Sequence, residues 1–433
     1  MPDVTIGLRP NLNRSPQPIA ITEAYRRQHC LIVGKTGVGK SNLAMNMAIS
    51  DFRAGAGLCF VDPNGGAVDK LLEYVPKHRT NQVVYISPAD EDFPVGLNFL
   101  QPRQDQPNHL VVSEIVSSIR SLFADSWGPQ SEFLLGQAAS AVMDFPGGTL
   151  QEVFRMLIDP AFRSRVVKNI QNPMVKLFWS QVFAKWPLNF QATATAPLVN
   201  KLGAFLTNPS LRMMVAQSHS TINLPEVMDS GGIILVNLAA GRIGEDQAGL
   251  FGSLFITQLY LTALARRSQP EDQRRDFYLY LEEAENFTTD ALPSMLAQAR
   301  KFRLNLTLSY QFLDQMKDRN RNAISGTVGT LIVFRVRNDS EELEKELRPQ
   351  FQVDYLRRQQ NYRAVYRLQG QGLAALPAST TTLPSLEMPG DEADPATFIR
   401  ISRERYTRPR SKVEAEIDKR WKITTSPKKK GPQ

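Results

Sequence analysis

The sequence predicts an α/β protein with a mostly parallel central sheet that carries a phosphate-binding loop and is interrupted by an inserted all-α domain. Three observations lead there. A glycine-rich string, GKTGVGKS at residues 34–41, lies between a strand-like run and a helix-like run. Half a dozen or more apolar runs of strand length alternate with segments that suit helices, the pattern of a parallel sheet covered on both faces. Between residues 108 and 228 that alternation stops and helical periodicity takes over.

Taken in order, residues 29–34 (HCLIVG) read as a short buried strand, and residues 40–52 show the apolar spacing of a helix. A second strand, residues 57–62 (GLCFVD), ends in the turn Pro63-Asn64-Gly65-Gly66, and residues 82–87 (QVVYIS) supply a third. The helical stretch that follows is broken at Gly147-Gly148, Pro160, Pro173 and Pro187. Strands resume at residues 232–238 (GIILVNL), 276–281 (DFYLYL), 304–310 (LNLTLSY) and 331–336 (LIVFRV). After residue 372 the composition turns to Pro, Ser and Thr, with an acidic patch at Asp391, Glu392 and Asp394. The expected division is therefore 1–107 and 229–372 for the two parts of the α/β domain and 108–228 for the helical insertion. Residues 373–399 are expected to be a linker and 400–433 a basic arm.

At 433 residues, 42% apolar and 22% charged, the chain can bury a large core. Its net charge of +8 sits in the tail: residues 400–433 carry 12 Lys or Arg against 4 Asp or Glu. Such an arm suits a polyanion, or is simply solvated. Cys30 and Cys59 lie in apolar runs that read as neighbouring buried strands, which favours reduced thiols over a disulfide or metal pair. No run of eighteen apolar residues occurs and the N-terminus lacks secretory-signal features, so the expectation is a cytoplasmic chain.

The chemistry begins at the loop. GKTGVGKS fits G-x-x-x-x-G-K-S, in which Gly34, Lys35, Thr36, Gly37, Val38 and Gly39 turn backbone N–H groups toward phosphates at a helix N-terminus. Lys40 reaches the outer phosphates and Ser41 ligates Mg2+; the ligands expected are ATP and Mg2+. Hydrolysis also needs acids at a neighbouring strand end, and DFYLYLEEAENF supplies them. Glu282 stands where a metal is organised, Glu283 where water is activated, and Glu285 is spare; which of the first two activates water stays open. The plainer alternative is a solvated strand-to-helix turn. Gln311 ends another strand, where its amide can sense the γ-phosphate. Arg300 closes a helix expected over residues 290–302, where an arginine either complements the helix dipole or enters a neighbouring subunit's site as a finger. Arg335, inside an apolar run, calls for a paired or phosphate-facing role.

Together GKTGVGKS, VDPNGG, LYLEEAENF, ARKFRLNLTLSYQ and GTVGTLIVFRV resemble the coupling-protein ATPases of conjugation and type IV secretion, in the HerA and FtsK superfamily. The resemblance spans about residues 20 to 350. SWGPQSEFLL at residues 126–135 resembles the opening of that family's helical domain, and VNLAAGRIGED its return strand and loop. The resemblance implies a RecA-like motor domain with an all-helical insertion, assembled as a hexameric ring that threads DNA and hydrolyses ATP. Lys40 and Ser41 match its phosphate loop, Glu282 and Glu283 its Asp-Glu pair, Gln311 its glutamine motif. Arg300, eleven residues earlier, matches its arginine finger. Asn64 departs from the His of the family's Asp-Pro-His-Gly turn. Membrane-bound coupling proteins begin with transmembrane helices, which this sequence does not show; a soluble branch, a membrane-anchored partner or a cytosolic portion each accounts for that.

Candidate DNA contacts are Arg242 in AAGRIGED, Lys317, Arg319 and Arg321 after the glutamine motif, and Arg357 and Arg358, each equally readable as solvated surface charge. The leading expectation is an ATP-driven DNA translocase. The alternatives are a secretion or assembly ATPase acting on protein substrates such as relaxosome or effector proteins, a HerA-like DNA-processing helicase, and a nucleotide-binding scaffold without motor activity.

Overall fold

The computed structural model describes residues 3–9, 15–103, 106–123, 127–287, 291–314, 316, 318–369, 376–388 and 390–422. Its strands are β1 (Val4–Arg9), β2 (Gln17–Ile21), β3 (Cys30–Val33), β4 (Gly57–Asp62), β5 (Val83–Ile86), β6 (Ile233–Asn237), β7 (Phe277–Leu281), β8 (Leu304–Tyr310), β9 (Thr330–Val333), β10 (Arg363–Leu368) and β11 (Ala378–Thr382). They form one sheet in the order β2-β1-β11-β10-β9-β3-β8-β7-β4-β6-β5. From β9 to β5 every pairing is parallel. From β9 to β2 every pairing is antiparallel.

The parallel half is the part written most openly in the sequence. Every residue of β3, β4, β6, β7, β8 and β9 is buried, so their apolar and β-branched side chains fill both faces. The antiparallel half arises differently. Its outermost strand, β2, carries Pro18, which an edge tolerates because no further strand needs its N–H. The stretch expected to be a linker, residues 373–399, contains β11: its Ser/Thr run pairs with β1 on one side and β10 on the other. Cys30 and Cys59 are buried free thiols, as expected, but on strands separated by β8 and β7.

The chain forms two compact units. One holds the whole sheet and comprises Met1–Ile86, Leu224–Gly241 and Gln258–Ser402. The other is helical: Ser87–Asn223, Arg242–Thr257 and the segment from Arg403, a wider set than the expected 108–228. In the helical unit several prolines are starting points, whereas Pro197 lies inside helix Leu188–Thr207. Asp159, Asn172 and Asn208 cap helices Pro160–Asn169, Pro173–Leu177 and Pro209–Val215 with side-chain oxygens, and the proline takes the first helical position, where no N–H is required. The described part of the expected basic arm lies largely in helices Pro395–Tyr406 and Arg410–Lys422. One stretch, Glu245–Ser268, is long and apolar enough to cross a membrane by length and composition, and 94% of its most apolar window is buried inside the protein.

Candidate functional site

In a parallel sheet the loops after the strands gather at the carboxyl edge, where ligands of such folds bind. Here that edge collects the loop after β3, the turn after β4, Glu282 and Glu283 after β7, and Gln311 after β8. The loop is pinned by its neighbours: the Gly34 N–H donates to Tyr310 O (3.2 Å) and the Lys35 N–H to Arg335 O (3.0 Å). Gly39, at φ 113°, turns the chain into helix Lys40–Arg53, whose N-terminus no side chain caps. That leaves the first-turn N–H groups and the positive end of the helix dipole for an anion. Lys40 is buried and its Nζ donates to Lys35 O (3.0 Å). Burial pulls its pKa down, against the opposing pull of Glu282, Glu285 and Glu283.

Glu282 is buried at the end of β7, its N–H held by Val61 O (3.0 Å). Its Oε2 accepts from Ser41 Oγ (2.8 Å), and its Oε1 has no hydrogen-bond partner among the described residues. Burial pushes this carboxyl up to about 7, with Asp62 and Glu283 adding to the rise and the Ser41 bond opposing it. A buried carboxylate oxygen without a donor beside a hydroxyl is a set of hard oxygen ligands. It suits Mg2+, which takes one or two protein oxygens together with phosphate and water.

Glu283 has a different setting. Its backbone is at φ 46°, and its carboxylate accepts from Asn64 Nδ2 (3.1 Å), Gln311 Nε2 (3.3 Å) and Asn286 Nδ2 (3.5 Å). Gln311 Oε1 in turn accepts from Thr36 Oγ1 of the loop (3.1 Å). Glu285, with its carboxyl's pKa raised by burial, accepts the Gln311 N–H on Oε1 (3.4 Å) and leaves Oε2 without a partner among the described residues. Loop, acid pair and glutamine thus form one connected cluster.

Two supports were not legible in the sequence. Asp62 closes the turn after β4 by accepting from the N–H groups of Asn64 (2.9 Å) and Ala67 (2.7 Å), which aims the Asn64 amide at Glu283. Gly65 is required there: at φ 88°, a Cβ would lie 2.2 Å from Asn237 Oδ1. Beneath the site, Arg26 makes two bonds to Asp51 (2.6 and 2.7 Å), and the Tyr280 hydroxyl donates to Asp51 (2.6 Å). Tyr278, Tyr280 and Glu282 share one face of their strand by alternation, so this buried group locks β7 to helix Lys40–Arg53. The available signal was the alternation of tyrosines in FYLYL.

The other expected residues lie apart. Arg300 is exposed, in a single 3₁₀ turn, Ala299–Phe302, after helix Leu292–Gln298. Arg335 follows β9, which ends at Val333; it is not inside a strand, has no ion pair among the described residues, and donates to Gln359 O (3.5 Å) and Asn361 Oδ1 (3.0 Å). Arg242, Arg319 and Arg358 are exposed, whereas Arg321 is drawn to Glu342 (3.5 Å) and Asp314 (3.8 Å). Arg357 donates to Ser340 Oγ (2.8 Å). Lys317 lies outside the described residues.

A parallel sheet with this loop, an acid pair on a nearby strand and a helical unit in the same chain define a P-loop NTPase of RecA-like fold. The chain belongs to the family of type IV secretion-system coupling protein DNA-binding domains, whose family model matches residues 16–347. Among solved structures it is similar to the plasmid coupling protein TrwB in complex with the non-hydrolysable ATP analogue ADPNP, at 16% identity and a TM-score of 0.64 over 91% of this chain and 96% of that one. The same protein in complex with ADP and Mg2+ gives a TM-score of 0.62 at 16% identity over 92% and 96%. VirB4 of Thermoanaerobacter pseudethanolicus gives 0.57 at 11% identity over 90% and 97%. No curated protein sequence matches it.

Proposed function

We propose that this chain hydrolyses ATP and uses the energy to move DNA through a hexameric ring of identical subunits, as in conjugative transfer. The observation that carries the reading is the connected cluster itself. Ser41 meets Glu282 at 2.8 Å, while Glu283 reaches the phosphate loop through Gln311 and Thr36, in a chain of the coupling-protein family. TrwB, which has the same fold, is described in complex with ADPNP and with ADP and Mg2+, which supports the same ligands here.

The residues divide the reaction. The N–H groups of residues 34–41 cradle the phosphates, and Lys40 exchanges its bond to Lys35 O for a phosphate oxygen. Ser41 and Glu282 hold Mg2+, which when bound offsets negative charge on the outer phosphates. Glu283, oriented by three amides, takes a proton from the attacking water as the terminal P–O bond breaks to leave ADP and phosphate. Gln311 touches both Glu283 and the loop, so loss of the phosphate alters its partners. Arg300 acts on the site of a neighbouring subunit. Exposed Arg242 and Arg319 are the described candidates for contacts to DNA phosphates.

Steady-state ATPase assays with single- and double-stranded DNA test this. Activity is expected to rise with DNA and to fall to background in Lys40→Ala. A robust rate indifferent to DNA of either kind at any length would overturn the translocase reading and favour a protein substrate.

A further inference from the structure

The proposed nucleotide site has a clear phosphate end but, so far, no place for the base. The loop follows β3; Gln311 and the acid pair follow β8 and β7, on one side of it. A nucleotide whose terminal phosphate faces those groups leaves the loop toward the other side, where β9 and β10 stand. The residue that meets the loop there is Tyr362, immediately before β10.

Tyr362 is fixed from both ends. Its N–H donates to Val38 O (2.8 Å), while its own carbonyl accepts from the N–H (2.8 Å) and the hydroxyl (3.1 Å) of Thr382. Its backbone sits at φ 62°, a left-handed conformation a tyrosine rarely adopts. The ring lies against Gly39, where an added Cβ would be 2.8 Å from its Cδ1 and 3.3 Å from its Cε1. Nevertheless it remains 49% exposed. A large aromatic ring held in a strained conformation beside a phosphate loop, with half its surface in water, is poor core packing. It is a good stacking platform. The surroundings are polar and ordered: Asn361 accepts from Arg335 (3.0 Å), and Asn42, in the first turn of the loop's helix, donates to Leu383 O (2.8 Å) and accepts from Ser385 Oγ (3.0 Å).

We propose that Tyr362 is the base platform of this site, its ring stacking on the purine of the bound nucleoside triphosphate between the phosphate loop and the turn at residues 382–385. The assignment rests on the phosphate-loop reading above. The test is calorimetric titration of wild type, Tyr362→Phe, Tyr362→Leu and Tyr362→Ala with Mg2+ and either ATP or inorganic tripolyphosphate, which has the charge but no base. Loss of a base–aromatic stack weakens ATP binding about tenfold or more in the Leu and Ala variants, leaves tripolyphosphate unaffected, and spares Phe. Leu still covers Gly39, so it decides the matter if Ala does not fold. Equal weakening of both ligands would show that Tyr362 only props the loop, and no weakening of either would show that the base lies elsewhere; each overturns the platform. Wild-type affinity for tripolyphosphate equal to that for ATP would also overturn it and leave the phosphate site standing. Failure of wild type to bind either ligand would remove both readings.

Discussion

Glu282 uses only one of its two carboxylate oxygens, and the unused one is buried. Without a cation the charged form is costly there, which is why burial pushes the group from an ordinary 4.5 to about 7. The sign of the resulting pH dependence follows. Between about pH 4.5 and pH 7 the folded protein holds a proton at Glu282 that the unfolded chain has released, so metal-free stability falls as pH rises across that window. The slope is at most about 1.4 kcal/mol per pH unit and the total about 3 kcal/mol. Glu282→Gln removes the titration. In metal-free buffer the melting temperature of the variant should therefore gain on wild type from pH 5 to pH 7.5, and Mg2+ at pH 7.5 should raise wild type but not the variant. A constant gap across pH would mean that Glu282 ionises like a surface acid.

The parallel strands were legible because most are nearly continuous apolar runs, while β8 (LNLTLSY) alternates apolar with polar residues over a full seven positions. The four antiparallel strands were not, and for local reasons: Gly7 interrupts β1, Pro18 sits in β2, Arg363 and Arg367 leave only a three-residue apolar run between them in β10, and β11 is Ala-Ser-Thr-Thr-Thr, which resembles a linker until its partners are known. The site divides in the same way. Loop and acid pair are contiguous strings, whereas the contact of Asn64 with Glu283 and the Arg26–Asp51–Tyr280 group join residues far apart in sequence. The C-terminal arm shows what charge counting misses. Arg403 bonds Asp90, Arg408 bonds Glu416, and Arg420 bonds Glu152, whose side chain is 2% exposed. Arg420 also donates to Gly147 O (3.1 Å) and Ala216 O (2.7 Å). These three arginines are committed to the helical unit, and the run Lys428-Lys429-Lys430 is the densest positive charge elsewhere in the arm, a further candidate for DNA contact. Two variants separate the roles. Arg420→Ala leaves the buried Glu152 carboxylate without its ion-pair partner, held by the Thr149 hydroxyl, and should lower stability by about 3 kcal/mol, read by denaturant unfolding. Replacing the three lysines by Ser should leave stability unchanged and flatten the dependence of DNA affinity on salt by up to about three ion equivalents. The opposite pairing of effects would refute the assignment.

Whether one chain is a complete machine is decided by Arg300. It precedes β8 and Gln311 follows it, so the two lie at opposite edges of the sheet, about 23 Å apart for a seven-residue strand. His29 fixes the position independently. It precedes β3, donates from Nε2 to Leu296 O (3.0 Å) in the helix leading to Arg300, and is pushed down to about 4 by burial, with the Arg300 charge adding to the effect. Arg300 is therefore on the far side from its own phosphate loop, exposed, and without an ion pair among the described residues. If it stabilises the charge that develops at a γ-phosphate, that phosphate is bound to another copy of the chain. A finger of this kind is worth about 10³ to 10⁵ in rate. Arg300→Ala should accordingly bind ATP normally and lose turnover, and Glu283→Gln should lose turnover for a separate reason. Mixed, the two dead variants form some interfaces that pair an intact Glu283 site with an intact Arg300, about one in four in an equimolar random ring. ATPase activity of the mixture should rise toward a quarter of the wild-type rate. Two dead variants that stay dead together, or an Arg300→Ala protein that turns over unaided, would place the finger elsewhere.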